Sequence, residues 1–200
     1  MANIIAYPIG SSLYVNITNK CSNDCAFCVR TTTDFSMGYD LWLDTEPSVE
    51  KIVSDIKEKG VENYDELVFC GYGEPTERFD DMIEVIKRVK KFSDIKVRLN
   101  TNGHANLIAG RDVTGELKDM VDIVSVSLNA PDAASYQKIC RSKFGEKGFY
   151  AMLDFVKKAR ENAAEVVLSI VDIMADEDKE KCRAIAEDLG VKLRVRELIK

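Results

Sequence analysis

The chain has one histidine, one tryptophan and four prolines in 200 residues. A single histidine excludes histidine-rich metal sites and histidine pairs. No stretch approaches the ~20 consecutive apolar residues that a membrane-spanning helix requires, so no membrane partner is expected. Met1-Ala2-Asn3 carries no basic run ahead of an apolar core, so no secretory leader is expected, and Asn16-Ile17-Thr18 carries no weight as a glycosylation site. Eleven glycines and four prolines lie too scattered to form a linker, and no repeat or low-complexity segment occurs. Basic excess is also missing: 28 Lys and Arg stand against 34 Asp and Glu, a net charge of −6. Long-range steering toward nucleic acid is therefore not expected. Six cysteines without a secretory signal read as free thiols in a reducing compartment, the cytoplasm.

What is present suits one globular domain over residues 1–200, with 46% hydrophobic and 31% charged residues. Its least accidental stretch is Cys21-Ser22-Asn23-Asp24-Cys25-Ala26-Phe27-Cys28, a C-x3-C-x2-C run. The polar Ser-Asn-Asp between the first two thiols marks a loop rather than a core strand. Three thiolates on one loop can hold three irons of a four-iron four-sulfur (4Fe-4S) cluster. An electron-transfer cluster takes four thiolates, so this loop leaves one iron open for chemistry. Structural zinc ordinarily shows two short pairs well apart, and the second pair is missing here; zinc or a reactive thiol loop are the alternatives.

Hydrophobic periodicity organises the rest. Ile4–Tyr7 is a short apolar run before a turn at 8–11, and strand 13–18 leads directly into the cysteines. A helix over 46–59 with stripe Val49, Ile52, Val53 and Ile56 is followed by strand 66–70. Thr76 is placed to cap the next helix, whose stripe is Met82, Val85, Ile86 and Val89. Strand 95–101, a short helix near 113–120, strand 122–129, a helical piece after Pro131-Asp132, helix 147–163, strand 165–172, helix 177–189 and strand 191–198 complete the order. Strict β/α alternation predicts a parallel sheet with helices outside. An incomplete barrel and a doubly wound sheet both fit; we take the partial (β/α)6 barrel, with a short N-terminal strand. Loops at the C-terminal strand ends then build the site, the cysteine loop among them.

The strands alternate rather than run apolar throughout. Tyr14, Asn16 and Thr18 oppose Leu13, Val15 and Ile17, and Arg98 and Asn100 oppose Val97 and Leu99. Ser125, Ser127 and Asn129 oppose Val124, Val126 and Leu128, and Arg194 and Arg196 oppose Val195. Parallel strands covered on both faces are continuously apolar, so one face here is a concave, hydrogen-bonding surface suited to a polar ligand.

The cysteine loop resembles the cluster loop of the radical S-adenosylmethionine (radical SAM) superfamily, CxxxCxΦC, with Phe27 at the aromatic position. Gly71-Tyr72-Gly73-Glu74-Pro75, which follows a strand directly, is similar to that superfamily's GGE motif, with Tyr72 where the first glycine usually lies. Leu99-Asn100-Thr101-Asn102-Gly103 is similar to its D/N-T-N-G segment. Ser12 to Cys28 and Ser127 to Asp132 look like the short group named for association with TatD-type nucleases.

The resemblance implies a 4Fe-4S cluster on Cys21, Cys25 and Cys28. It implies a SAM site that includes Phe27, with Tyr72, Gly73 and Glu74 at the amino group, Asn100 at the ribose, and Ser127 and Asn129 where relatives put ribose and carboxylate ligands. Ser127 and Asn129 are neutral, so Arg194 or Arg196 is the expected charge for the SAM carboxylate. The implied reaction is reductive cleavage of SAM to a 5′-deoxyadenosyl radical that abstracts hydrogen from an unknown small molecule or protein. An external donor of the flavodoxin or ferredoxin type supplies the electron. An activase generating a glycyl radical on a partner protein and a non-enzymatic zinc-binding module are the alternatives.

The remaining candidates are weaker. His104 lies in a loop on the site face, where a general base is conceivable but a solvated or structural histidine is the expectation. Cys70 and Cys182 read as core, and Cys140 either faces the site or is a core or neutral residue. Residues 29–46, with Phe35, Tyr39 and Trp42, are either a flap over the site or a surface loop anchored by aromatics.

Overall fold

The computed structural model describes residues 3–31, 38–163 and 165–198. A hairpin opens the chain: β1 (Ala6–Ile9) and β2 (Ser12–Val15) pair antiparallel and turn at Gly10, whose φ of 58° is left-handed. The expected turn at 8–11 is thus confined to its last two residues, and β1 runs through Pro8. Five further strands follow: β3 (Glu66–Phe69), β4 (Lys96–Thr101), β5 (Ile123–Ser127), β6 (Glu165–Val171) and β7 (Lys192–Arg196). All seven form one sheet in sequence order, and β2 through β7 pair parallel. A doubly wound sheet reverses its strand order at a switch point. This one never reverses, so the chain is a partial barrel.

Helices α1 (Val49–Glu58), α2 (Phe79–Val89), α3 (Ala105–Ala109), α4 (Ala133–Cys140), α5 (Lys147–Ala159) and α6 (Asp176–Asp188) lie between the strands. Ser48 caps α1 by accepting from Lys51 N–H at 3.2 Å. Thr76 caps nothing. It is instead a donor, through N–H and Oγ1, to Glu74, and α2 begins only at Phe79. The helix expected near 113–120 is a single 3-10 turn at Thr114–Leu117, and α3 stands ahead of it.

One strand face carries Leu13, Val15, Leu67, Phe69, Val97, Leu99, Val124, Val126, Leu168 and Ile170, all fully buried. They join one core with the helix stripes, among them Ile52, Ile56, Met82, Ile86, Met152 and Phe155. At roughly 1.5–3 kcal/mol per large side chain, this layer is the main stabilisation of the fold.

Pairing register sets the opposite face. Tyr14 lies beside Val68 and Val68 beside Arg98; Asn100 lies beside Ser125; Ser127 beside Ser169 and Ser169 beside Arg194; Val171 beside Arg196. Arg98 and Glu66 pair across this interior at 2.7 Å, Ser12 Oγ donates to Glu66 at 2.8 Å, and Arg98 donates to Tyr14 Oη at 3.3 Å. The wall expected to be polar is therefore an internal hydrogen-bonding surface.

Candidate active site

The cysteine loop leaves β2 and is held from two sides. Asp24 and Ala26 donate their N–H groups to the carbonyls of Cys140 and Ile139, at 3.0 and 2.9 Å, and Lys143 N–H donates to Ser22 O at 2.8 Å. The end of α4 thus brackets Cys25. From the other side, Asn102 Nδ2 donates to Ser22 Oγ at 2.8 Å, and Ser22 Oγ lies 3.0 Å from His104 Nδ1. His104 Nε2 lies 3.1 Å from the Gly148 carbonyl. A carbonyl only accepts, so the network assigns the proton to Nε2 and leaves Nδ1 to accept from Ser22. His104 is fully buried, and desolvation pulls its pKa down to about 4. It is a neutral structural bracket rather than a solvated residue.

Glu74 joins the loops after β3 and β4. Its Oε1 accepts from Thr76 N–H at 3.1 Å, Thr76 Oγ1 at 2.7 Å and Thr101 Oγ1 at 2.7 Å; Oε2 accepts from Asn102 N–H at 2.7 Å. The residue is 4% exposed; burial raises its pKa, against the four hydrogen bonds that favour the ionised form. Gly73 sits where the same turn meets the cysteine loop. A Cβ there would overlap the Thr18 carbonyl oxygen and stand 2.7 Å from the Lys20 carbonyl. Glu74 N–H bonds that Lys20 carbonyl at 2.8 Å.

These loops enclose a cavity of ≈ 220 Å³. Of the residues singled out in the sequence, Cys21, Cys25, Cys28, Phe27, Glu74, Asn100, Ser127, Asn129 and Arg196 line it. Tyr72, Gly73 and Arg194 are not among its walls. The Tyr72 ring turns away, into contact with Trp42 at 5.3 Å between centroids and into a cluster with Tyr7 and Leu41. Arg194 is exposed on β7. Cys70, expected in the core, faces the cavity. It has the same strand parity as Glu66 and Val68, a signal that its apolar neighbours obscured. Asn102 was not singled out, yet it lines the cavity and places Nδ2 3.9 Å from Cys21 Sγ.

Residues 39–46 are strapped down. Asn16 donates to Leu41 O at 2.7 Å, Asn19 exchanges two hydrogen bonds with Leu43, and Thr18 Oγ1 donates to Glu46 at 2.6 Å. The described end of the segment is thus anchored to the loop after β2. Phe35 and its neighbours at 32–37 lie outside the described residues.

The loop thiols Cys21 and Cys25 are free. Burial pushes Cys21 up to about 12 and also raises Cys28, whereas the side chain of Cys140, in hydrogen-bonding contact, lowers Cys25. Metal ligation replaces those protons. Among the described residues, no three of His, Cys, Asp and Glu gather around one point as a single ion demands. The thiols ring a shared cavity instead, the arrangement of ligands that bind different irons of one cluster. The donor set therefore fits a cluster with three protein ligands.

Comparison with known proteins agrees. The family model of the Radical SAM superfamily matches residues 15–189. A probable GTP 3′,8-cyclase of Methanocaldococcus jannaschii is 31% identical over 149 residues, 74% of this chain and 45% of that protein. A probable RNA methyltransferase of Sorangium cellulosum is 30% identical over 153 residues, 68% of this chain and 34% of that protein. The chain thus spans less than half the length of these curated relatives. The [FeFe]-hydrogenase maturase HydG of Carboxydothermus hydrogenoformans superposes with a TM-score of 0.68 at 17% identity, over 94% of this chain and 44% of that one. A radical SAM methyltransferase of Sphaerobacter thermophilus does so with a TM-score of 0.60 at 15% identity, over 96% and 68%. A match over residues 15–189 is decisive: the chain belongs to the Radical SAM superfamily.

Proposed function

We propose that this chain is a radical SAM enzyme whose substrate binds inside the partial barrel. With a 4Fe-4S cluster and SAM bound, the site would supply radical chemistry for hydrogen abstraction. The observation that carries this reading is the convergence of Cys21, Cys25 and Cys28 on one cavity that Glu74 also lines.

Cys21, Cys25 and Cys28 hold the cluster. Glu74 lines the cavity with three donors on Oε1 and one on Oε2, so Oε2 has acceptor capacity left for the SAM ammonium group. Asn100 and Ser127 take the ribose, and Asn129, with its left-handed φ of 54°, stands at the carboxylate end. Phe27 packs against the core from the cysteine loop and screens the cluster from water. Gly73 lets the Glu74 turn seat against the cysteine loop. A soluble flavodoxin or ferredoxin supplies the electron, in the cytoplasm. The small-molecule substrate is favoured over the activase reading, because Asn100, Ser127 and Arg196 line a cavity of ≈ 220 Å³. The likeness to the TatD-associated group rests on the sequence runs alone.

Anaerobic reconstitution with iron and sulfide, followed by reduction with SAM present, tests the proposal. It requires four irons per chain and 5′-deoxyadenosine as product. Stoichiometric zinc in natively purified protein, with no product after reconstitution, ends it.

A further inference from the structure

We infer that Arg196 is the recognition residue for an oxyanion, a carboxylate or phosphate, carried by the substrate. The inference rests on the proposed radical SAM reading for what happens to that substrate, but not for the binding itself.

Arg196 lines the cavity from β7, the strand farthest in the sheet from the cysteine loop. Its Nε is buried without a hydrogen-bond partner, and among the described residues its guanidinium makes no ion pair. Burial lowers its pKa, the direction expected of a cation with no carboxylate beside it. The other charges say why. Glu66 is already taken by Arg98 at 2.7 Å. Glu74 is engaged by Thr76, Thr101 and Asn102. Glu197 lines the same cavity but is exposed, and among the described residues it forms no ion pair with Arg196. A desolvated, unpaired cation is unfavourable until an anion meets it. A guanidinium meets a planar or tetrahedral oxyanion with two parallel N–H donors.

The position separates this group from the SAM carboxylate. SAM's amino acid end must lie beside the cluster thiols and Glu74. Arg196 lines the same cavity from β7, five strands along the sheet from β2, which leads into the cysteine loop, and four from β3, which leads to Glu74. The side of the cavity that it forms is therefore the one left to the substrate.

Isothermal titration of the anaerobically reconstituted chain, with and without saturating SAM, tests this. Inorganic phosphate is the probe in one arm and succinate in the other. One probe is expected to bind saturably, and the arm that binds identifies the oxyanion. Arg196→Gln should weaken that binding about tenfold or more, and Arg196→Lys less. SAM affinity of Arg196→Gln should stay within about threefold of the parent. Unchanged circular dichroism of the variants guards against misfolding. The proposal is overturned if neither probe binds, if Arg196→Gln binds the probe equally, or if that variant loses SAM and the probe competes with SAM. The last outcome assigns the guanidinium to the SAM carboxylate. Formation of 5′-deoxyadenosine by the reduced parent, without any probe, reports separately on the proposed function. Its absence ends that reading while the probe titration still decides this one.

Discussion

Asn102 N–H reaches Oε2 of Glu74 at 2.7 Å, so the loop after β4 hangs on a carboxylate carried by the loop after β3. Because Asn102 also donates to Ser22, the same contact reaches the cysteine loop. Glu74→Gln keeps the shape but places an amide NH2 against one of the four donors, leaving a buried N–H without an acceptor. The expected cost is about 1–3 kcal/mol, measured by urea unfolding. SAM affinity should fall in parallel, by at least about tenfold, because the charge facing the ammonium group is gone. Unchanged SAM affinity in a folded Glu74→Gln protein would show that the carboxylate only braces the loops.

Cys140 distinguishes a cluster ligand from a cluster neighbour. Its buried thiol lowers the pKa of Cys25, the influence of a hydrogen-bond donor on a thiolate. Cys21→Ala, Cys25→Ala and Cys28→Ala should each abolish uptake of the four-iron cluster, whereas Cys70→Ala and Cys140→Ala should retain it. Hydrogen bonds to ligand sulfur help set cluster potential. Loss of this donor should therefore move the midpoint potential of Cys140→Ala to more negative values, read by EPR-monitored titration. Loss of iron from Cys140→Ala would make it a ligand, against the present assignment.

Local chemistry was legible in the sequence; chemistry assembled from distant segments was not. The cysteine spacing and the two-residue alternation that puts Arg98, Asn100, Ser127 and Arg196 on one face need only neighbouring residues. Helix α3 is too short to show a stripe over Ala105–Ala109, so periodicity passed over it. Thr76 looked like a cap because threonine often is one, yet Glu74 two residues earlier offers the stronger acceptor. The meeting of Cys25 with Cys140, and of Ser22 with His104 at 3.0 Å, joins residues far apart in the chain, which no local pattern encodes.

Gly73 should be the least replaceable glycine of the site. Its missing Cβ faces two backbone carbonyls, Thr18 and Lys20, which cannot swing aside as a flexible side chain would. Gly73→Ala must therefore push the Glu74 turn off the cysteine loop, breaking the 2.8 Å bond from Glu74 N–H to Lys20 O. Reconstituted Gly73→Ala is expected to hold substoichiometric iron and to unfold at lower urea. Gly115→Ala is the control, since a Cβ there meets nothing within 4 Å. Equal iron content in the two variants would contradict the packing assigned to Gly73.

His104 should give the fold a specific acid sensitivity. In the unfolded chain the imidazole titrates near 6.5, whereas burial holds it near 4 in the folded one. Above pH 6.5 both states are neutral and the residue contributes no pH dependence. As pH falls from 6.5 toward 4, the unfolded chain binds a proton that the folded chain refuses, so stability drops; below 4 it changes no further on this account. At pH 5.5 the loss is roughly 1 kcal/mol, and comparison with the His104→Gln variant separates it from the titration of carboxylates. The nearest charge acting on the ring, Lys143, pushes in the same direction. Urea unfolding of the parent and of His104→Gln at pH 7.5 and 5.5 checks this. The stability difference between them should shift toward the variant on acidification. A difference that stays constant would mean that the imidazole takes up its proton without leaving the fold, and that Ser22 is held by a charged ring rather than a neutral one.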